Sequence, residues 1–466
     1  MRLARGHETT IDNVSFPFVY ASQRRRRRLQ RRIFTLLFFA AVIALIALVF
    51  LVVIPNLSGS GDTGEQSAAG SESENGENAD ADSAGSSGGG SSDGGSSGEQ
   101  IEGTVVRAET PDAESIKAPE AKSPKPEAVK GIYMTAPAAG GPNLSAYLDL
   151  LDITELNAVV VDVKDVTGEV MYPSQVPLAT EVGATRDVIP DLESFVAELE
   201  DHDVYSIARI AVFEDDILPR ERPDLAITDS ATGGPWVNYS NVAWADPYDK
   251  QVWEYNVAIA REAAQAGFDE IQFDYIRFPS DGPMETLTFE EETYPDYQSA
   301  LGAFLEYAQG ELASEDVYLA ADVFGLAATD DGAGVGQYMD KLMPHLDVIC
   351  PMAYPSHYPV GSYGVEAPNY EPYKIVLETM KDFEEEAQKA NPDIEIRPWI
   401  QDFDYTEPPY GAAEVAAQMQ AVYDADETGW LLWNAENIYT DGALRPHGEG
   451  RGPDSPGNFE AQLSAD

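Results

Sequence analysis

The sequence predicts a (β/α)₈ TIM barrel preceded by one transmembrane helix and a disordered linker. Three observations predict it. Over 129–445, eight short β-rich runs alternate strictly with seven runs of helical period, the order of a parallel barrel. Ahead of them, Ile33 to Ile54 is an unbroken apolar stretch behind a cluster of arginines. Between the two, 55–128 is an acidic, Gly/Ser-rich stretch with no hydrophobic period.

The elements follow in order. Residues 1–32 hold nine Arg and two acidic residues, net +7. The 22-residue run from Ile33 to Ile54 has Thr35 as its one polar member. At helical rise it spans roughly 33 Å, about the thickness of a bilayer's hydrocarbon core. The arginines place the N-terminus in the cytoplasm, and everything after Pro55 is then outside. A cleaved signal peptide is the rival reading, but its apolar region is shorter and ends in a small-x-small site, and none follows here. Residues 56–100 are dominated by Gly, Ser, Asp and Glu, and 101–128 add Pro and Lys. No core can form from that composition, so the segment reads as a flexible tether, with a spacer role sufficient to explain it.

The barrel runs begin with "VKGIYMTA" (129–136), followed by Leu144, Tyr147, Leu148 and Leu151 at helical spacing. "NAVVVDVKD" (157–165) precedes Leu192, Phe195, Val196 and Leu199; "VYSIARIAVF" (204–213) precedes Trp253, Val257 and Ala260. "DEIQFDYIRFP" (269–279) leads to Leu301, Phe304, Leu305 and Ala308, and "VYLAADVFG" (317–325) to Tyr338, Leu342 and Leu346. "DVICPMAYP" (347–355) leads to Val376, Met380 and Phe383, and "IEIRPWIQDF" (394–403) to Val415, Met419, Val422 and Tyr423. "GWLLWNAEN" (429–437) is the eighth. No amphipathic run follows it, so the eighth helix is short or missing, or the N-terminal segment fills its place; 446–466 is a tail. A doubly wound open sheet is the alternative, yet no Gly-x-Gly-x-x-Gly follows the first strand, so nucleotide binding gains no support.

Composition bounds the partners. The 466 residues hold 29 Lys+Arg against 81 Asp+Glu, net −52, of which −49 falls on 126–466. That balance argues against nucleic acid, whose phosphates demand basic patches. It fits a surface adapted to an ion-rich exterior, or simply a very soluble extracellular domain. Anionic polysaccharides would be repelled, so a neutral glycan is the expected partner. Cys350 is the single cysteine, which excludes a disulfide framework and a Cys-built zinc site. The five histidines show no i, i+4 pair on a helix, so no metal and no cofactor are expected.

Function in such a barrel sits at the C-terminal ends of the strands. Several of these ends carry carboxylates: Asp162 and Asp165, Asp274, Asp322, Asp402 and Asp404, and Glu436. Aromatics stand beside them: Tyr275, Phe324, Tyr354, Trp399, Trp433 and Tyr439. Glycoside hydrolysis needs two carboxyl groups flanking one bond and flat faces on which sugar rings stack. Neighbouring strands are about 4.8 Å apart, so Asp274 and Asp322, on adjacent strands, can reach the separation of about 5–5.5 Å found in retaining enzymes.

"FDYIRFP" (273–279), "NAVVVDVKD" (157–165), "CPMAYPSHY" (350–358) and "GWLLWNAEN" (429–437) resemble the "putative glycosyl hydrolase domain" family of bacterial surface proteins. The resemblance covers about 129–440, and "FDYIRFP" is its most specific piece. It implies a barrel distantly similar to α-amylase-type hydrolases, in which the fourth strand ends with the nucleophilic Asp and the fifth with the acid/base. Those roles then fall on Asp274 and Asp322. The sequence departs from the amylase pattern twice. Asp322 stands where Glu is usual, and Gln272 stands where an Arg precedes the nucleophile by two residues, with Arg277 following Asp274 instead. The chitinase-like Asp-x-x-Asp-x-Asp-x-Glu is not met, because Ile276 or Arg277 occupies the place of the Glu.

Asp162, Arg209, Tyr275, Arg277, Tyr354, Trp399, Asp402, Trp433 and Glu436 are the expected substrate-binding residues. Each has a structural alternative. Asp274 can pair with Arg277 or Arg209 at the barrel rim, Asp322 can cap the loop starting at Gly325, and Asp162 and Lys164 alternate onto one face where a salt bridge fits as well as a substrate contact. Trp399 and Trp433 can fill the core, Cys350 is expected buried and inert, and His357 alone is weak evidence. Asp402 or Glu436 could replace Asp322 as the acid, across the barrel. The aromatic loop 232–247 is either a lid or sugar shelf, or extra packing. The sequence therefore carries two functions: a membrane-anchored extracellular glycoside hydrolase acting on a neutral glycan, or a non-catalytic glycan-binding barrel. A metal-dependent deacetylase would need an Asp/His/His set that the sequence lacks.

Overall fold

The computed structural model describes residues 125–289, 293–329 and 332–448. The expected cytoplasmic segment, the apolar run 33–54, nearly all of the linker and most of the tail lie outside the described residues. Among the described residues no helix is long and apolar enough to cross a membrane.

Eight parallel staves close into a barrel. They are β1 (Lys130–Met134), β2 (Ala158–Lys164), β3 (Tyr205–Ala211), β4 (Glu270–Asp274), β5 (Tyr318–Phe324), β6 (Val348–Met352), an interrupted β7 (Glu395–Ile396 and Trp399–Gln401) and β8 (Trp430–Trp433). Each pairs with the next, and β8 pairs with β1 through Lys130↔Trp430 and Ile132↔Leu432. Pro398 divides β7, since it lacks the N–H a ladder needs; the two pieces hold β6 through Ile349↔Ile396 and Trp399↔Met352.

Among the described residues, besides short helical turns at Ala136–Ala139, Pro177–Glu181 and Leu218–Glu221 in the loops after β1, β2 and β3, seven helices follow the staves on the outside: α1 (Leu144–Ile153), α2 (Leu192–Asp201), α3 (Lys250–Gln265), α4 (Tyr297–Leu312), α5 (Met339–Leu342), α6 (Pro372–Ala390) and α7 (Ala412–Asp424). Aspartates start three of them. Asp191, Asp249 and Asp296 accept from the backbone N–H of Ser194, Gln251 and Ser299, satisfying donors that the first turn leaves free. The fifth helix is one turn long and continues as a 3₁₀ turn, Met343–His345. After β8 there is a 3₁₀ turn, Asp441–Ala443, and no helix. Chain just beyond it runs antiparallel to Thr154, with Glu155 and Arg445 bonded both ways.

Strand alternation divides the core. On β2, Val159, Val161 and Val163 face the helices, whereas Ala158 and Val160 face the barrel interior. At the N-terminal end of the interior, Arg397 makes two bonds of 3.0 Å to Glu270, both fully buried. Higher up, Gln272 Nε2 donates to Cys350 Sγ, and Cys350 is fully buried, with its thiol pushed well up by that burial.

The fourth strand ends earlier than the sequence predicts. Tyr275 takes φ +54°, a left-handed conformation that costs an L-residue roughly 1–2 kcal/mol. Extended pairing stops there, although the apolar sequence continues. The loops after β3 and β4 then meet in a small antiparallel pair, Thr228–Asp229 with Leu287–Thr288.

Candidate active site

The interior of the upper barrel is organised around one arginine. Arg209, late on β3, is 5% exposed. Its Nη1 donates to Asp162 on β2, and its Nε donates to Asp274 Oδ2 on β4 at 3.0 Å. Strand register makes this possible: Asp162 lies opposite Arg209 across β2–β3, and Ala211 lies opposite Asp274 across β3–β4. Asp162 also accepts from the Tyr133 hydroxyl of β1. Asp274 Oδ1 accepts from the backbone N–H of the left-handed Tyr275 at 2.6 Å.

Asp322 on β5 completes the group. It is 1% exposed, and its Oδ1 accepts from Trp399 Nε1 at 2.7 Å. Its Oδ2 has no hydrogen-bond partner and lies 3.6 Å from Arg209 Nε. The same nitrogen is 3.0 Å from Asp274 Oδ2, so the two carboxylate oxygens are no farther apart than the 6.6 Å to which these distances add.

Three carboxyl groups around one guanidinium would leave excess negative charge in a buried site, which burial opposes. Burial, reinforced by the negative charge of Asp274, pushes the Asp322 carboxyl well above the usual range, and Arg209 only partly offsets this. Burial also raises Asp162, against the pull of Arg209. Asp322 thus has one oxygen held by the Trp399 indole and the other at ion-pair distance from Arg209 with no hydrogen bond.

The group opens into a cavity of about 420 Å³, within the range of small-molecule sites. Arg209, Asp274 and Asp322 are its charged lining; Tyr275, Phe324, Tyr354, Trp399 and Trp433 supply flat apolar walls, and His357 stands at the mouth. Trp433 packs on Tyr133 with centroids 4.2 Å apart, and Arg209 lies 5.3 Å from its ring.

The expected binding residues divide. Arg209, Tyr275, Tyr354, Trp399 and Trp433 line the cavity, and Asp162 stands behind Arg209 as its anchor. Arg277 lies 4.7 Å from the Trp244 ring, 5.2 Å from Tyr275 and 5.0 Å from Phe324, and pairs with Glu214 at 3.4 Å. Asp402 accepts from the Thr440 N–H and hydroxyl, tying the loop after β8, and Glu436 sits exposed on that loop. Neither of these two borders the cavity. Asp274 pairs with Arg209 rather than Arg277, and Asp322 bonds Trp399 rather than capping the turn at Gly325. Lys164 and Asp162 do not pair; fully buried Lys164 bonds Asp215 at 2.9 Å. In the aromatic loop 232–247, Trp236 and Trp244 are fully buried while Tyr239 is 78% exposed, so its tryptophans act as packing.

Two contributors escaped the sequence. Tyr133 lies on a strand without an acidic tip. Glu214 directly follows the third run, and a search for acidic strand tips extended by one residue would have found it. Burial pushes Glu214 up to about 7, against the pull of Arg277. Among the described residues no group of three or more His, Cys, Asp or Glu side chains is arranged to hold a metal ion.

Residues 131–439, about two thirds of the chain, match the family described as "Putative glycosyl hydrolase domain". Among solved structures, a hypothetical protein from Ruminiclostridium thermocellum is 38% identical over 41% of this chain and 96% of its own, with a TM-score of 0.38. The glycoside hydrolase domain of PgaB (BpsB) from Bordetella bronchiseptica is 14% identical over 66% of this chain and 94% of its own, TM-score 0.48. That of PelA from Pseudomonas aeruginosa is 14% identical over 67% and 97%, TM-score 0.40. No curated protein matches the chain.

Proposed function

The chain belongs to this glycosyl hydrolase domain family, and from that premise we propose that it hydrolyses glycosidic bonds with Asp274 as nucleophile and Asp322 as proton donor. The observation that carries the reading is the pair itself: two carboxyl oxygens at most 6.6 Å apart, one hydrogen-bonded to Arg209 and the other 3.6 Å from the same Arg209 nitrogen with no hydrogen bond.

The roles follow from the environments. Asp274 carries Arg209 on one oxygen and the Tyr275 N–H on the other, which hold its carboxylate in place for attack. Asp322, held neutral by burial, offers its O–H to the glycosidic oxygen. Asp274 attacks the anomeric carbon as that C–O bond breaks, and the leaving alcohol departs with the Asp322 proton. Water then enters, gives one proton back to the Asp322 carboxylate, and its oxygen cleaves the glycosyl ester. Two displacements at one carbon retain the anomeric configuration. The separation bound meets the retaining range and touches the inverting one, so the stereochemical outcome is part of the proposal.

The net charge of −49 on 126–466 favours a neutral glycan. The apolar run 33–54 behind its arginines supports a single-pass anchor with the barrel outside the cell.

Proton NMR of the first product formed from a glycan panel tests the chemistry. A retained anomer, with loss of turnover in Asp274→Asn, supports it; an inverted anomer removes Asp274 as nucleophile. The glycan-binding alternative predicts that wild type binds a glycan and cleaves none.

A further inference from the structure

Beyond the catalytic floor, aromatic rings continue out of the cavity in an unbroken series. Tyr354, in the wall, lies 5.6 Å from the His357 ring and 5.6 Å from Phe403. His357 in turn lies 5.1 Å from Tyr405, the two planes inclined by 36°. Exposure rises along the way, from 8% at Tyr354 to 65% at Tyr405. His357 both borders the cavity and faces solvent.

A tyrosine left mostly in water forgoes the gain its ring would have from burial. Such a ring could merely sit on a loose loop, but this loop is pinned. The Tyr410 N–H donates to Asp404 Oδ1 at 2.8 Å, Asn369 Nδ2 donates to the Glu407 carbonyl at 3.1 Å, and the Tyr410 hydroxyl donates to the Asn369 carbonyl at 3.2 Å. The exposed face is thus held in place and contiguous with the cleft. A pyranose ring has an apolar C–H face and a hydroxyl edge that stays wet, which is the surface that an amphipathic, solvent-facing aromatic platform accepts.

We propose that His357 and Tyr405 form a distal sugar subsite, so that the substrate is an oligo- or polysaccharide leaving the cavity over the loops after β6 and β7. The assignment rests on the carbohydrate reading of the cavity. It is tested by titrating the full chain, carrying Asp274→Asn to prevent turnover, with di- and hexasaccharides of the cello, malto and N-acetylchito series. For the series that binds, adding Tyr405→Ala weakens the hexasaccharide about tenfold, the scale of one aromatic stacking contact, and leaves the disaccharide within twofold; Tyr405→Trp restores the hexasaccharide. Equal effects on both lengths, or none, overturn the subsite, and if wild type still cleaves the hexasaccharide the glycosidase reading survives that failure. Length-dependent binding without cleavage by wild type keeps the subsite and removes the hydrolase. No binding of any series overturns both.

Discussion

A buried carboxyl with one bonded and one unbonded oxygen is costly to ionise, and Asp322 is such a group. Burial raises its carboxyl, so the native state holds that proton to higher pH than the unfolded chain does. Stability from that proton is complete below the ordinary carboxylate range and is lost as pH rises toward the folded value. Asp322→Asn keeps an acceptor for Trp399 and removes the titration. Its unfolding free energy, by urea titration at several pH values, is therefore expected to fall less steeply above pH 5 than that of wild type. Glu214 adds to the same slope between its ordinary 4.5 and about 7, so Glu214→Gln flattens that window. Asp274→Asn is expected to lower kcat/KM about a thousandfold, roughly 4 kcal/mol of transition-state stabilisation, with glycan affinity preserved; unchanged turnover would remove it from the mechanism. Gly325 shapes the cavity by having no side chain. A Cβ there would meet the Tyr358 hydroxyl at 2.1 Å and the Met352 carbonyl at 2.7 Å. Gly325→Ala is expected to lower the melting temperature by several degrees in differential scanning fluorimetry, because the backbone carbonyl cannot yield as a side chain would.

At the scale of elements, the site depends on neighbouring strands holding register. Arg209 reaches two strands at once because β2, β3 and β4 are consecutive and parallel. Removing it strands carboxylates in a buried site. Arg209→Met is therefore expected to cost about 3–5 kcal/mol by chemical denaturation, as for other broken buried pairs. The lower barrel poses the same problem in Arg397 and Glu270, both fully buried. Arg397→Met alone is expected to cost a similar amount, and adding Glu270→Leu should recover most of it, because the orphaned charge goes too. A double variant no more stable than the single would mean that packing, not charge, dominates there.

For the whole molecule, the dominant quantity is charge. Net −49 over 126–466 makes the folded surface repel itself, and mobile ions screen that repulsion within about 3 Å at 1 M salt. The melting temperature is expected to rise by several degrees between 0.05 and 1 M NaCl in differential scanning fluorimetry; a flat response would mean that the negative charges are already compensated locally.

Strand and helix order, the closed parallel class and the acidic tips Asp274 and Asp322 were legible in the chain alone, because period-2 and period-3.6 patterning and strand-end position are local properties. The partners of those acids were not. Sequence offered Arg277 as readily as Arg209, left Asp162 and Lys164 between a salt bridge and a substrate contact, and left Trp399 between core filler and sugar platform; the fold gave Lys164 to Asp215 and turned the Trp399 indole onto Asp322. Which charges meet, and which carboxyl keeps its proton, depends on distances across strands that closure alone sets and on burial that no single segment possesses.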